Sequence, residues 1–76
     1  MLVYIFRGNG RVFGFTQNPT GANLPTGYGN WNQFKTLQVS KGVAQPGVNT
    51  DECIDDIERY GFHLTDAHVR ITDDAL

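Results

Sequence analysis

Cys53, His63 and His68 are the only thiol and imidazole groups in the chain. Nucleophilic catalysis would need Cys53 beside one of those histidines, with a third group to orient the ring. A zinc site would need carboxylates to complete four ligands, because positions 53, 63 and 68 match no zinc spacing. Cys53 therefore reads as a small core residue, and the histidines as strand or surface residues. Serine occurs once, at Ser40, and Gly-x-Ser-x-Gly is absent. Gly8-Asn9-Gly10 is not followed by the Lys-Ser or Lys-Thr of a phosphate-binding loop. Asp51, Glu52, Asp55, Asp56 and Glu58 read as the solvated face of a helix. The expectation is a domain with no catalysis, cofactor or metal of its own.

A second chemistry is stacking on aromatic rings beside cations. Residues 11 to 16 read Arg-Val-Phe-Gly-Phe-Thr. This run resembles the first RNA-binding motif of cold-shock domains, a basic residue followed by Gly-aromatic-Gly-aromatic. A preceding strand with Tyr4 and Phe6 is similar to that family's order. The resemblance implies binding of single-stranded nucleic acid, with Phe13 and Phe15 stacking on bases and Arg7, Arg11 and Lys35 near phosphates. Val12 stands where the family has its first glycine, and the second motif, Val-Phe-Val-His-Phe, is missing. The competing expectation is that the aromatic face packs on a helix as core.

These residues are positioned by elements that the sequence marks. Residues 2 to 7 and 11 to 16 are rich in β-branched and aromatic side chains, with Gly8-Asn9-Gly10 between them, which predicts a hairpin. A two-residue turn would put Leu2, Tyr4, Phe6, Phe13 and Phe15 on one face. Val3, Ile5 and Val12, with Arg7 and Gly14, would then lie on the other. Residues 33 to 40 predict a third strand, with Leu37 and Val39 on one face and Phe34 on the other. Pro46-Gly47 signals a type II turn. A helix follows over about residues 50 to 60. Asn49 or Thr50 caps it, Glu52 completes a capping box, Ile54, Ile57 and Tyr60 form its stripe, and Gly61 ends it. Alternation at Phe62 and Leu64, and at Ala67, Val69 and Ile71, predicts extended structure for at least 67 to 72, with a second helix capped by Thr65 as the alternative.

Residues 16 to 33 contain two Pro-Thr-Gly strings, at 19 to 21 and 25 to 27. Each predicts a turn, so this stretch reads as an ordered loop. Leu24, Tyr28 and Trp31 are its expected anchors on the hairpin. Tyr28, Asn30 and Asn32 around Trp31 form a rim suited to a polar ligand.

Seventy-six residues bound the chain to one small domain, residues 1 to 76. The expected fold is α+β, a mostly antiparallel sheet with one helix on a face, in the order β-β-loop-β-α-β. Net charge is −2. Residues 1 to 50 hold no acid and four cations, Arg7, Arg11, Lys35 and Lys41, whereas residues 51 to 76 hold eight acids and two arginines. Mutual attraction of the halves within the fold is the expected meaning. One cysteine fits a reducing, cytoplasmic setting. No apolar run approaches a membrane span, and the short apolar start lacks a basic leader. Two apolar sheet faces with one helix to cover them predict a non-catalytic interaction domain that binds a protein partner or a second copy. Single-stranded nucleic-acid binding is the alternative.

Overall fold

The computed structural model describes residues 1 to 66 and 69 to 71. Strands β1 (Leu2–Arg7) and β2 (Val12–Thr16) form the first hairpin, and β3 (Asn32–Gln38) follows a long loop. Helix α1 (Thr50–Tyr60) leads into β4 (Phe62–Asp66) and the two-residue β5 (Val69–Arg70). The sheet order is β3-β1-β2-β4-β5, with every neighbouring pair antiparallel. This is the expected α+β architecture. Of the tail predicted as extended, Ala67 and Thr72 lie outside the described residues, as does His68.

Local chemistry fixes the helix ends. The Asn49 side-chain oxygen accepts from the Glu52 N–H at 3.2 Å, which satisfies a donor that the first turn leaves unpaired. Asp51 and Glu52 lie in that turn, where the dipole favours acids. Gly61 closes the other end in the left-handed region, φ 91°, and donates to the Ile57 carbonyl at 2.8 Å. Only Gly61 separates helix from β4, so the helix folds straight back onto the sheet. Cys53, Ile54 and Ile57 bury against Val3, Ile5, Phe15 and Val39.

The hairpin sorts its faces differently from the sequence expectation. Ile5 pairs with Phe15, and Arg7 with Phe13. Phe13 and Phe15 therefore share the helix side with Val3 and Ile5, while Gly14 lies opposite Phe6 on the far side. The Gly8 N–H donates to the Val12 carbonyl and the Val12 N–H to the Asn9 carbonyl. Three residues, 9 to 11, thus lie between the paired Gly8 and Val12. One residue more than the expected turn moves every β2 side chain to the other face. A second correction concerns β3. A β-bulge lies between the pairs Ile5–Lys35 and Phe6–Gln33, and it puts Phe34 on the helix side against Phe13.

The loop from 17 to 31 covers the face that has no helix. Leu24 is buried with Phe6 and Leu64, and Tyr28, Trp31 and Phe62 pack around them. The Asn18–Gly21 turn closes with an N–H to carbonyl bond of 3.1 Å, as expected. The second Pro-Thr-Gly string differs: Pro25 precedes a 3-10 turn over Thr26–Tyr28. The Trp31 indole N–H donates to the Pro25 carbonyl at 2.8 Å. Asn23 joins three elements: it accepts from the Thr16 hydroxyl at 2.8 Å and donates to the Gly61 carbonyl at 2.9 Å. Beneath the loop the sheet has no side chain at Gly8 or Gly14. A Cβ on Gly8 would sit 2.7 Å from the Tyr28 carbonyl oxygen and 2.8 Å from Trp31, and one on Gly14 would sit 2.9 Å from Leu24.

Gly8 has no positive φ, so alanine suits its backbone and only the clash with the loop opposes it. Gly8→Ala is expected to cost about 1–3 kcal/mol, and Trp31→Ala about 2–3 kcal/mol. Either loss lowers Tm by roughly 10 °C in a domain of this size. Thermal melts check the loss, and hydrogen exchange checks that protection falls within residues 18 to 30. An unchanged melt for both variants would mean that the loop does not hold this face.

Candidate binding groove

The hairpin register and the β3 bulge together build one feature on the helix side. Arg7 and Phe13 face each other across β1 and β2, and the bulge adds Phe34 and Lys35. The Phe13 and Phe34 rings meet edge to face, centroids 5.6 Å apart at 62°. The Arg7 guanidinium lies 5.4 Å from the Phe13 centroid and 5.2 Å from that of Phe34. The Lys35 ammonium lies 5.7 Å from Phe34. Both cations are within reach of the negative ring faces. Beside them opens a groove of about 180 Å³. Ile5, Phe13 and Phe15 floor it, Phe34 and Lys35 wall it on the β3 side, and Pro46 to Val48 form the opposite wall. The Val48 N–H closes that turn onto the Gln45 carbonyl at 3.2 Å.

The predicted site residues divide between the two faces. Arg7, Phe13, Phe15 and Lys35 come together at the groove. Phe15 is only 5% exposed and belongs to the core under the helix, so it offers the groove a floor and no free stacking face. Arg11 is exposed in the hairpin turn. Tyr28 and Trp31 lie on the opposite face, packed against the Phe6–Leu24–Leu64 cluster. The sequence reading missed Phe34, which is 50% exposed. Nothing in Gln-Phe-Lys-Thr-Leu-Gln-Val announces a bulge, and strict alternation sends Phe34 to the wrong face.

Lys41 and Glu58 make the described ion pair between the basic and acidic stretches, at 3.5 Å and well exposed, where such a pair is worth at most about 1 kcal/mol. Among the described residues, Arg7, Arg11 and Lys35 have no carboxylate partner. The groove lining likewise holds no acid.

Cys53, Asp56 and His63 form the other chemically loaded region. Asp56 is not on the solvated helix face: it is 3% exposed, and His63 is 2% exposed. The His63 Nδ1–H donates to Asp56 Oδ2 over 2.6 Å, and the imidazole tilts against Phe15 at 5.1 Å. Cys53, one helical turn before Asp56, is fully buried. Burial first, and the Asp56 carboxylate second, push its thiol up to about 12. A thiol protonated at neutral pH is neither a nucleophile nor a ready metal ligand. Among the described residues, no three His, Cys, Asp or Glu side chains are placed to hold a metal ion. No helix there is long and apolar enough to cross a membrane. No family model, curated protein or solved structure matches the chain significantly.

The buried pair ties the helix to β4, and removing either residue takes a buried bond from the other. Asp56→Ala and His63→Ala are each expected to cost about 3 kcal/mol, and the double variant less than the sum of the two. Denaturant melts measure this. Cys53 is expected to resist a thiol reagent at pH 8 in the folded protein and to react once denaturant unfolds it. Rapid labelling of the native protein would contradict the burial of the thiol.

Proposed function

We propose that the protein is a non-catalytic binding module that docks a protein partner through the groove between β3 and the 46–48 turn. Phe34 carries this reading. A half-exposed ring stands over an apolar groove with two cations against it and no acid in the lining. An apolar cavity of roughly 150 Å³ holds a benzene ring, so this groove suits one leucine or phenylalanine side chain. Apolar anchors in such recesses carry most of the energy of protein interfaces, and a charged rim selects and orients the partner. A second copy of the chain is the other protein occupant the groove admits. The single buried Cys53 supports a cytoplasmic setting.

Single-stranded nucleic acid is the second reading, favoured by the contact of Arg7 and Lys35 with the Phe34 ring. A base would stack on Phe34, with Arg7, Arg11 and Lys35 toward the phosphates. Phe15 drops out of the stacking set because it is core. Such binding would weaken steeply as salt rises.

Sedimentation at working concentration measures self-association, and amide-shift mapping with a partner identified from cell extract locates the interface. Shifts are expected at Phe13, Phe34, Lys35 and Val48. Phe34→Ala should weaken binding about tenfold or more while costing under about 1 kcal/mol of stability. A monomer that recovers no partner, or a partner that shifts only the 17–31 loop, overturns the reading. An oligonucleotide that produces the groove shifts at low salt and loses them at high salt supports the second one.

A further inference from the structure

We infer that the groove's partner enters as an extended acidic strand that adds to the outer edge of β3. This rests on the reading of the groove as a binding site and names what occupies it. β3 is the outermost strand on its side of the sheet, pairing only with β1. At seven residues it is long for an edge, and all of it except Leu37 is exposed. Among the described residues, no strand covers its outer side. The Gln45 side-chain amide donates to the Gln38 carbonyl at 3.2 Å, at the strand's last residue. Such an edge presents a row of backbone donors and acceptors, which is the template for strand addition.

The same strand forms one wall of the groove. Lys35, by its pairing with Ile5, and Phe34, by the bulge, make that wall on the helix side. Side chains of an added strand alternate between faces. Those on the helix side would lie against the outer side of Phe34 and Lys35, over which one long apolar side chain can reach the groove. Its neighbours on that side would meet Lys35 and Arg7, and carboxylates suit that position.

Charge also decides against the two competing occupants. Lys35 is the middle residue of β3. A second copy pairing antiparallel about that midpoint would set Lys35 against its counterpart, and like charges directly opposite destabilise a strand pair. Lysine is one of the devices that guard edges against self-pairing, yet its charge favours an acidic strand. A nucleic-acid strand answers the cations but supplies few donors for the β3 carbonyls, and a peptide backbone supplies both donors and acceptors.

The probe is the capped peptide acetyl-Thr-Glu-Thr-Phe-Thr-Glu-Thr-amide, titrated into the labelled intact protein. Its Phe and both Glu share one face. Amide shifts are expected along Asn32–Gln38 and at Phe13 and Val48. Lysine in place of both glutamates should weaken binding about tenfold, and Lys35→Glu should reverse that preference. N-methylation of the peptide amides that face β3 should abolish binding, whereas methylation of the alternate set should leave it. If neither set matters while the groove still shifts, the strand pairing is refuted and the groove reading stands. The pairing is equally refuted if the acidic peptide fails while an identified partner still binds the groove. Tighter groove binding by oligothymidine, or a dimer joined through β3, also overturns it. If Phe13, Phe34 and Val48 respond to no peptide and no protein partner, the groove reading fails as well.

Discussion

Ile5 faces Phe15 and Arg7 faces Phe13 across the first hairpin, and this pairing decides what each face of the sheet can become. It sends two aromatic rings to the helix side, where Phe15 fills the core and Phe13 reaches the open groove. It leaves Gly14 opposite Phe6 on the other side, with Gly8 near the turn. Those two positions form the flat floor on which Leu24 and Trp31 lie. A slip of one residue would place rings beneath the loop and a gap beneath the helix. Because the period of a strand is two, no intermediate arrangement exists. The loop is thus part of the register: the Asn9 N–H donates to the Tyr28 carbonyl at 2.8 Å, which joins the hairpin turn to the segment it supports.

The helix is held by a different kind of constraint. Its apolar stripe is narrow, so packing alone leaves some freedom of rotation about its axis. The Asp56–His63 bond opposes that freedom, because breaking a buried ionic hydrogen bond costs several kcal/mol, on the order of 3–5. Phe15 pairs with His63 in the β2–β4 register, so the hairpin that sets the faces also places the imidazole where Asp56 can reach it. The acid that looked most like surface decoration is therefore an element of the core. Cys53 is held as a thiol beside it.

The legible parts of the sequence were those decided within a few residues. The helix begins at Thr50 and ends at Tyr60 because Asn49, Glu52 and Gly61 act over one turn. The Asn18–Gly21 turn and the Pro46–Gly47 turn were legible for the same reason. The hairpin faces were not. Gly8-Asn9-Gly10 accepts either turn length, and the choice is settled by Tyr28 and Trp31 some twenty residues away. Phe34 was hidden by a bulge, and Asp56 by a partner that only the sheet register supplies. Of the groove lining, Phe13, Phe15 and Lys35 could be named from residue types, and so could Arg7 beside it. Tyr28 and Trp31, the other aromatic site residues, lie on the opposite face, and aromatic content carries no information about which face it will occupy.

Arg7, Arg11 and Lys35 remain without described carboxylate partners, although the chain as a whole is acidic. Two of them stand where the sheet leaves an apolar groove uncovered. Cations beside an apolar recess keep it hydrated at its rim and resist its closure by a like-charged copy, yet they add to the attraction of a carboxylate-bearing partner. The loop, by contrast, has met its polar demands internally: Asn23 bridges Thr16 and Gly61, and Trp31 bonds Pro25. The loop thus bonds its polar groups within the chain, and the groove face is left with an aromatic ring half in water. The proposed interaction surface lies on the side where a ring and two cations stand without acidic partners among the described residues.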